Sequence, residues 1–203
     1  MNRIVWDDRG DDAAVADHVA AAIRRGGKKL AVSGGNTVTL ILALLAARDL
    51  PWSGVEILPT DERCVPAEHP ASNFGALSRA FAPTSALVRP MTPAMAITPF
   101  DLVWLGMGLD GHIASLFPGQ PMGDTDQPTV VAVRPDPLPP EAPFDRLSLN
   151  LPALLATPDL ILVIRGQEKR RVLESAIGGE SGLPVAKLVQ SLPGMMRMFW
   201  SAA

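Results

Sequence analysis

The chain has 203 residues, 47% of them hydrophobic and 19% charged, which suits one globular domain with a sizeable core spanning residues 1–203. A formal net charge of -3 argues against a nucleic-acid-binding face, and no apolar run approaches the roughly 20 residues of a membrane-spanning helix. A single cysteine, Cys64, excludes an internal disulfide framework and, with no signal-peptide pattern at the N-terminus, leads us to expect a cytoplasmic protein.

Arg3 to Trp6 reads as a short first strand. Asp11 or Asp12 offers an N-cap for a helix running to about Arg25, with Gly26-Gly27 as its stop. Ala13, Ala16, Ala20 and Ile23 give that helix a small-residue face, and His18 within it is expected to be structural or solvated. Lys29 to Val32 is a second strand, which opens directly into Ser33-Gly34-Gly35-Asn36-Thr37. An aliphatic helix follows over Val38 to Arg48, apolar on nearly every side and so predicted to be well buried. Strand, paired glycines with hydroxyls, then helix is an arrangement that points free backbone N–H groups at an anion such as phosphate. A plain strand-to-helix turn capped by Ser33 or Thr37 has the same pattern. No Gly-Lys-Ser/Thr is present, so this is not the phosphate loop of nucleotide hydrolases.

Val55 to Pro59 is a third strand, followed by the charged run Thr60-Asp61-Glu62-Arg63 and then His69. With three histidines in all and no His-Glu-x-x-His or cysteine pair, no metal site is expected. Arg63 instead suits forked hydrogen bonds to a phosphate or carboxylate, with Asp61 and Glu62 holding it or touching hydroxyls. Cys64 beside it is expected to be an inert, packed thiol. Ser72 or Asn73 caps a helix that runs through Phe81.

Ala82 to Pro99 is proline-rich, with one short strand over Ala86 to Val88. A buried strand then starts at Asp101 and breaks into Gly106-Met107-Gly108-Leu109-Asp110-Gly111-His112. The glycines let a ligand approach the backbone at Gly108, and Asp110 and His112 fall just past the strand's carboxyl end, where open α/β sheets bind ligands. The stretch fits G-x-G-x-x-G, but Pro118-Gly119 would interrupt the long helix a dinucleotide fold needs. The next strand, Thr129 to Val133, also ends without an acidic residue for a ribose. Pro135 to Pro143 is a stiff surface segment, and Arg146 to Asn150 alternates as a strand with Arg146 at its start. A short helix (Leu151 to Thr157), a strand (Asp159 to Ile164), a helix with Lys169-Arg170-Arg171 on a solvated face (Gln167 to Ile177), a helix (Pro184 to Ser191) and a strand (Met195 to Trp200) complete the chain. The alternation predicts a single-domain three-layer α/β/α sandwich with a mostly parallel, Rossmann-like sheet.

Three segments together resemble the 6-phosphogluconolactonase family: Ser33-Gly34-Gly35-x-Thr37; Thr60-Asp61-Glu62-Arg63 through His69 and Ser72-Asn73-x-Gly75; and Leu105-Gly106-Met107-Gly108-x-Asp110-Gly111-His112-x-Ala114-Ser115-Leu116-Phe117-Pro118-Gly119. Arg146-Leu147-Ser148-Leu149 is similar to that family's later arginine strand, and the likeness spans nearly the whole chain. The related glucosamine-6-phosphate deaminase/isomerases usually end the histidine loop in Asn-Glu-Pro-Gly. Leu116-Phe117-Pro118-Gly119 therefore favours the lactonase. The chain departs from the family pattern at Val38 (usually Pro) and Ile113 (usually Thr). The segment between Phe81 and Asp101 is also short, without room for a helix.

The resemblance implies hydrolysis of 6-phospho-D-glucono-1,5-lactone to 6-phosphogluconate in the oxidative pentose phosphate route, with no cofactor. Such chemistry needs a base for water, donors for an oxyanion and a clamp on the remote phosphate. His112 is the candidate base, and Asp110 either orients its imidazole or binds a sugar hydroxyl. Ser33, Gly34, Gly35, Asn36 and Thr37 would cradle phosphate, with Arg63 and Arg146 supplying charge and Lys187 a further candidate for the clamp. The expected partner is a small phosphosugar lactone, with no nucleic acid or membrane, in a monomer or loose homo-oligomer. The alternatives are a sugar-phosphate isomerase or deaminase, disfavoured by the missing Glu, and a non-catalytic sugar-phosphate sensor.

Overall fold

A computed structural model describes residues 3–35, 38–122, 125–136, 138, 143–179 and 182–202. Its centre is a seven-stranded sheet in the order β1-β10-β9-β6-β2-β3-β5. These strands are β1 (Ile4–Trp6), β2 (Lys29–Val32), β3 (Glu56–Pro59), β5 (Leu87–Val88), β6 (Leu102–Leu105), β9 (Leu160–Arg165) and β10 (Met196–Ser201), and every neighbouring pair is parallel. β5 and irregular chain fill the stretch between α3 (Asn73–Phe81) and β6, so the short segment contains no helix. From β2 the chain moves outward to β3 and β5; from β6 it moves the other way to β9. The carboxyl ends of β2 and β6 thus flank the point where strand order reverses, which is where open α/β sheets form a ligand crevice.

Central strands buried on both faces read as continuous apolar runs, and their alternate side chains feed two separate cores. Leu102, Trp104, Ile161 and Val163 face α1 (Asp12–Arg24), α2 (Thr39–Ala46) and α3. Val103, Leu105, Leu162 and Ile164 face the opposite layer, which holds α4 (Leu151–Leu155), α5 (Gln167–Ile177) and α6 (Pro184–Gln190). Asp11 caps α1 by accepting from Ala14 N at 2.7 Å. Ser72 caps α3 by accepting from Gly75 N at 2.9 Å.

Three expectations need correction. The run after β3 is a strand, β4 (Asp61–Arg63), and with β8 (Arg146–Leu149) and β7 (Val130–Val133) it forms a separate antiparallel sheet in the order β4-β8-β7. Thr60 joins the two sheets: its N–H donates to Val32 O of β2 at 3.0 Å, and its C=O accepts from Leu149 N of β8 at 2.9 Å. The second correction concerns α2, which is not buried all round. It lies in an outer layer, so Ile41, Leu42 and Leu45 face inward while Leu40 (59%) and Leu44 (38%) stay exposed. Third, Arg170 is not merely solvated, since its guanidinium lies 4.3 Å from the Trp200 ring centroid and 5.1 Å from that of Trp6. Most of the stiff segment predicted over Pro135 to Pro143 lies outside the described residues.

Ser72→Ala removes the α3 cap and should destabilise the protein by about 1 kcal/mol. For a chain of this length that corresponds to a Tm lower by roughly 2–4 °C in thermal denaturation. Ser72→Thr, which keeps the acceptor for Gly75 N and the donor to Glu62, should recover part of the loss.

Candidate active site

A cleft of about 340 Å³ opens at the strand-order reversal. Ser33, Gly34 and Gly35 line it from the loop after β2, and Gly106, Gly108, His112, Ala114, Ser115 and Phe117 from the loop after β6. Asp61, Arg63 and Arg146 reach it from the small sheet, and Lys169 from α5. Each of these loops leaves its strand where the apolar run ends, so buried strands deliver polar groups to one rim.

The glycine loop is shaped by close approach. A Cβ on Gly34 would overlap the Asn73 side-chain amide at the start of α3, and Gly35 has φ +96°, a conformation that favours glycine. Among the described residues no side chain caps the first turn of α2. Asn36 and Thr37 lie outside the described residues.

The histidine loop is built around a dyad. Asp110 Oδ1 lies 2.7 Å from His112 Nδ1 and also accepts from the His112 backbone N–H at 3.2 Å. A carboxylate only accepts, so in the neutral imidazole this contact favours the tautomer with its hydrogen on Nδ1 and the Nε2 lone pair free. Gly108 makes the dyad possible: a Cβ there would overlap the imidazole and the Asp110 carboxylate. The side chain of His112 is 34% exposed, with the Phe117 ring 4.9 Å away, so it meets both water and an apolar wall.

Behind the dyad the loop is anchored to the small sheet. Ser115, buried, donates from Oγ to Asp61 Oδ2 at 2.6 Å, and its backbone N–H donates to Ser148 Oγ of β8 at 3.1 Å. Between His112 and Ser115, Ala114 holds φ +48°, a conformation that non-glycine residues keep only where neighbours enforce it.

Of the two expectations for Asp61 and Glu62, holding the Arg63 side chain or touching hydroxyls, the first is not met; within the protein Asp61 accepts from the Ser115 hydroxyl and Glu62 from that of Ser72. Arg63 Nη1 donates to Ala71 O at 2.9 Å and Asn73 Oδ1 at 3.2 Å. Glu62 turns away from the cleft and accepts from Asn73 N (2.7 Å), Phe74 N (2.6 Å) and Ser72 Oγ (3.0 Å), placing its negative charge at the N-terminus of α3. Arg146, buried, donates from Nε to Phe144 O at 3.1 Å. Burial and then the nearby Arg63 charge lower its pKa, with Asp61 opposing, yet an arginine keeps its proton. Cys64, just past the end of β4, is exposed rather than packed. Partial desolvation and the Asp145 and Glu62 carboxylates raise its thiol pKa, so it is no ready thiolate.

Lys187 is exposed on α6 and is not among the cleft-lining residues; Lys169, read from the sequence as part of a solvated face, is. Its position after Gly166 at the end of β9 was the available signal, but a Lys-Arg-Arg run hides which of three cations turns inward. Burial lowers the Lys169 pKa, and the Asp110 charge opposes that shift. Among the described residues no group of three or more His, Cys, Asp or Glu is placed to hold a metal ion, and no helix is long and apolar enough to cross a membrane.

The family model for glucosamine-6-phosphate isomerases/6-phosphogluconolactonase matches residues 12–95 and 83–200. A 6-phosphogluconolactonase of Caulobacter vibrioides is 33% identical, the match covering 96% of this chain and 92% of the relative. One from Neisseria meningitidis is 35% identical over 83% of this chain and 82% of its own. The crystal structure of a 6-phosphogluconolactonase from Shewanella baltica superposes with a TM-score of 0.83 at 26% identity, covering 100% of this chain and 98% of that one.

A lysine whose folded pKa lies below its ordinary 10.5 disfavours folding while charged, and the penalty fades as pH rises through the folded pKa. Lys169→Met should therefore leave the Tm of the ligand-free protein unchanged or raised at neutral pH. The difference should shrink as pH approaches 10.5, as thermal melts across pH would record.

Proposed function

The chain belongs to the glucosamine-6-phosphate isomerase/6-phosphogluconolactonase family, and we propose that it hydrolyses 6-phospho-D-glucono-1,5-lactone to 6-phosphogluconate. The observation that carries the reading is the Asp110–His112 dyad on the rim of a cleft that also holds Arg63, Arg146 and Lys169. A base with an available Nε2 and a surplus of cations suit an electrophilic ester attached to a phosphate dianion.

In this reading Nε2 of His112 takes a proton from water as the water oxygen bonds to the lactone carbonyl carbon. The tetrahedral oxyanion then collapses, the bond from that carbon to the ring oxygen breaks, and the imidazolium returns its proton to the ring oxygen. The new carboxylic acid ionises in solvent. Asp110 holds the tautomer and stabilises the imidazolium, and Lys169 adds positive charge beside the pair. The Ser33 hydroxyl and the amides of Gly34 and Gly35, together with Arg63 and Arg146, would take the phosphate. Fixing that remote group holds the carbonyl carbon against the attacking water, so phosphate binding energy is spent on orientation.

The isomerase or deaminase alternative calls for a carboxylate in the histidine loop after Leu116. Phe117 occupies that position, packed against His112, so the loop offers an apolar wall there.

His112→Ala should lower lactone turnover by a factor on the order of 100 to 10,000 while 6-phosphogluconate still binds. The assay follows acid release from freshly generated phospholactone, with a no-enzyme control for spontaneous opening and a parallel test for ammonia from glucosamine 6-phosphate. Near-normal turnover in the variant would remove His112 from the base role. Arg63→Ala should lose far more activity on the phosphorylated lactone than on gluconolactone; equal losses would make Arg63 a structural residue.

A further inference from the structure

Among the described residues three buried side-chain polar atoms lack a hydrogen-bond partner: Thr60 Oγ1, Arg63 Nε and Trp104 Nε1. Arg63 and Trp104 both line the cleft at the strand-order reversal. Buried tryptophan N–H groups ordinarily find an acceptor, because leaving one unpaired costs as much as a lost hydrogen bond.

The surroundings of Trp104 explain why the protein itself offers none. Trp104 is fully buried on β6, on the sheet face that carries α1 and α2. The other two residues of that core cluster that line the cleft are Val38 and Val163, neither of which has a side-chain acceptor. Arg165, also lining the cleft, is a donor and is paired with Asp12 at 2.6 Å. The backbone ties Trp104 to the glycine loop, since its C=O accepts from Ser33 N at 2.9 Å. A donor-only indole therefore lines the same cleft as Gly34, Gly35 and Arg63.

We propose that Trp104 is a specificity-determining residue whose Nε1–H donates to a phosphate oxygen of the bound substrate. The inference rests on the reading that the cleft takes a phosphorylated sugar. An oxygen-rich dianion satisfies both unpaired donors at once, Trp104 Nε1 from below and Arg63 Nε from the side of the small sheet. A neutral sugar reaching the same cleft through the dyad leaves the indole unpaired, so this contact discriminates between phosphorylated and unphosphorylated lactones.

The test combines calorimetric binding of 6-phosphogluconate with the indole N–H resonances of the 15N-labelled protein. The Trp104 signal is identified by its loss in Trp104→Phe, or, if that variant does not fold, by elimination with Trp6→Phe, Trp52→Phe and Trp200→Phe. On adding 6-phosphogluconate, and more weakly inorganic phosphate, the Trp104 N–H signal should move downfield. Trp104→Phe should weaken 6-phosphogluconate binding by about 10-fold to 100-fold, the range for a hydrogen bond to a charged acceptor. It should lose a larger factor on phospholactone than on gluconolactone. A protein that binds 6-phosphogluconate with the Trp104 signal unmoved overturns this assignment alone, as does unchanged affinity in a folded Trp104→Phe. Failure of the wild-type chain to bind 6-phosphogluconate or open the lactone overturns the sugar-phosphate reading and this contact with it.

Discussion

The hydrogen bond from Ser115 Oγ to Asp61 Oδ2, 2.6 Å long and buried, joins parts of the molecule that share no strand pairing. Asp61 belongs to the small antiparallel sheet, which also carries Arg63 and Arg146; Ser115 belongs to the loop that carries the Asp110–His112 dyad. Ser148 Oγ reinforces the joint by accepting from Ser115 N–H, and Asn73 Nδ2 supports Asp61 from the start of α3 at 3.3 Å. Low surrounding dielectric strengthens such a bond and makes breaking it costly, so the network can hold Ala114 in a left-handed backbone conformation. The histidine loop and the cationic sheet are thereby held as one unit. Such positioning matters for catalysis in general, because rate depends on how closely the reacting groups are held in the productive orientation.

The electrostatics of the cleft run against stability in the absence of ligand. Arg63, Arg146 and Lys169 converge on one partly desolvated space. Burial disfavours the charged forms of Arg146 and Lys169, and Arg63 raises the cost for Arg146. Asp61 and Asp110 offset part of this. A bound dianion would offset more, and would also meet the two donors that have no protein partner. Like charges held close together in this way cost folding stability, a cost characteristic of functional clefts.

Glu62 illustrates how one acidic residue in a charged motif can serve the scaffold rather than the ligand. In Asp61-Glu62-Arg63, strand alternation sends Asp61 and Arg63 to one side and Glu62 to the other. Two of those residues line the cleft, and the third caps the helix that positions Asn73, which in turn holds Arg63. The middle residue of the motif thus builds the platform for its outer ones.

Much of this protein was legible in its sequence. Buried strands announce themselves as apolar runs, glycine clusters mark where those runs end, and Asp110 and His112 are two residues apart, close enough for local geometry alone to make a dyad. The central parallel sheet, the main helices and the histidine loop follow from such short-range signals. What the tertiary structure decided depends on contacts between distant segments. Whether Asp61 to Arg63 is loop or strand was set by pairing with Arg146 to Ser148, far along the chain. Which lysine enters the cleft, Lys169 or Lys187, depended on how α5 and α6 pack against the sheet. The partner of Ser115 lies 54 positions away. Local periodicity reports which face of an element is apolar, but not which other element will cover it or which polar group that element will present.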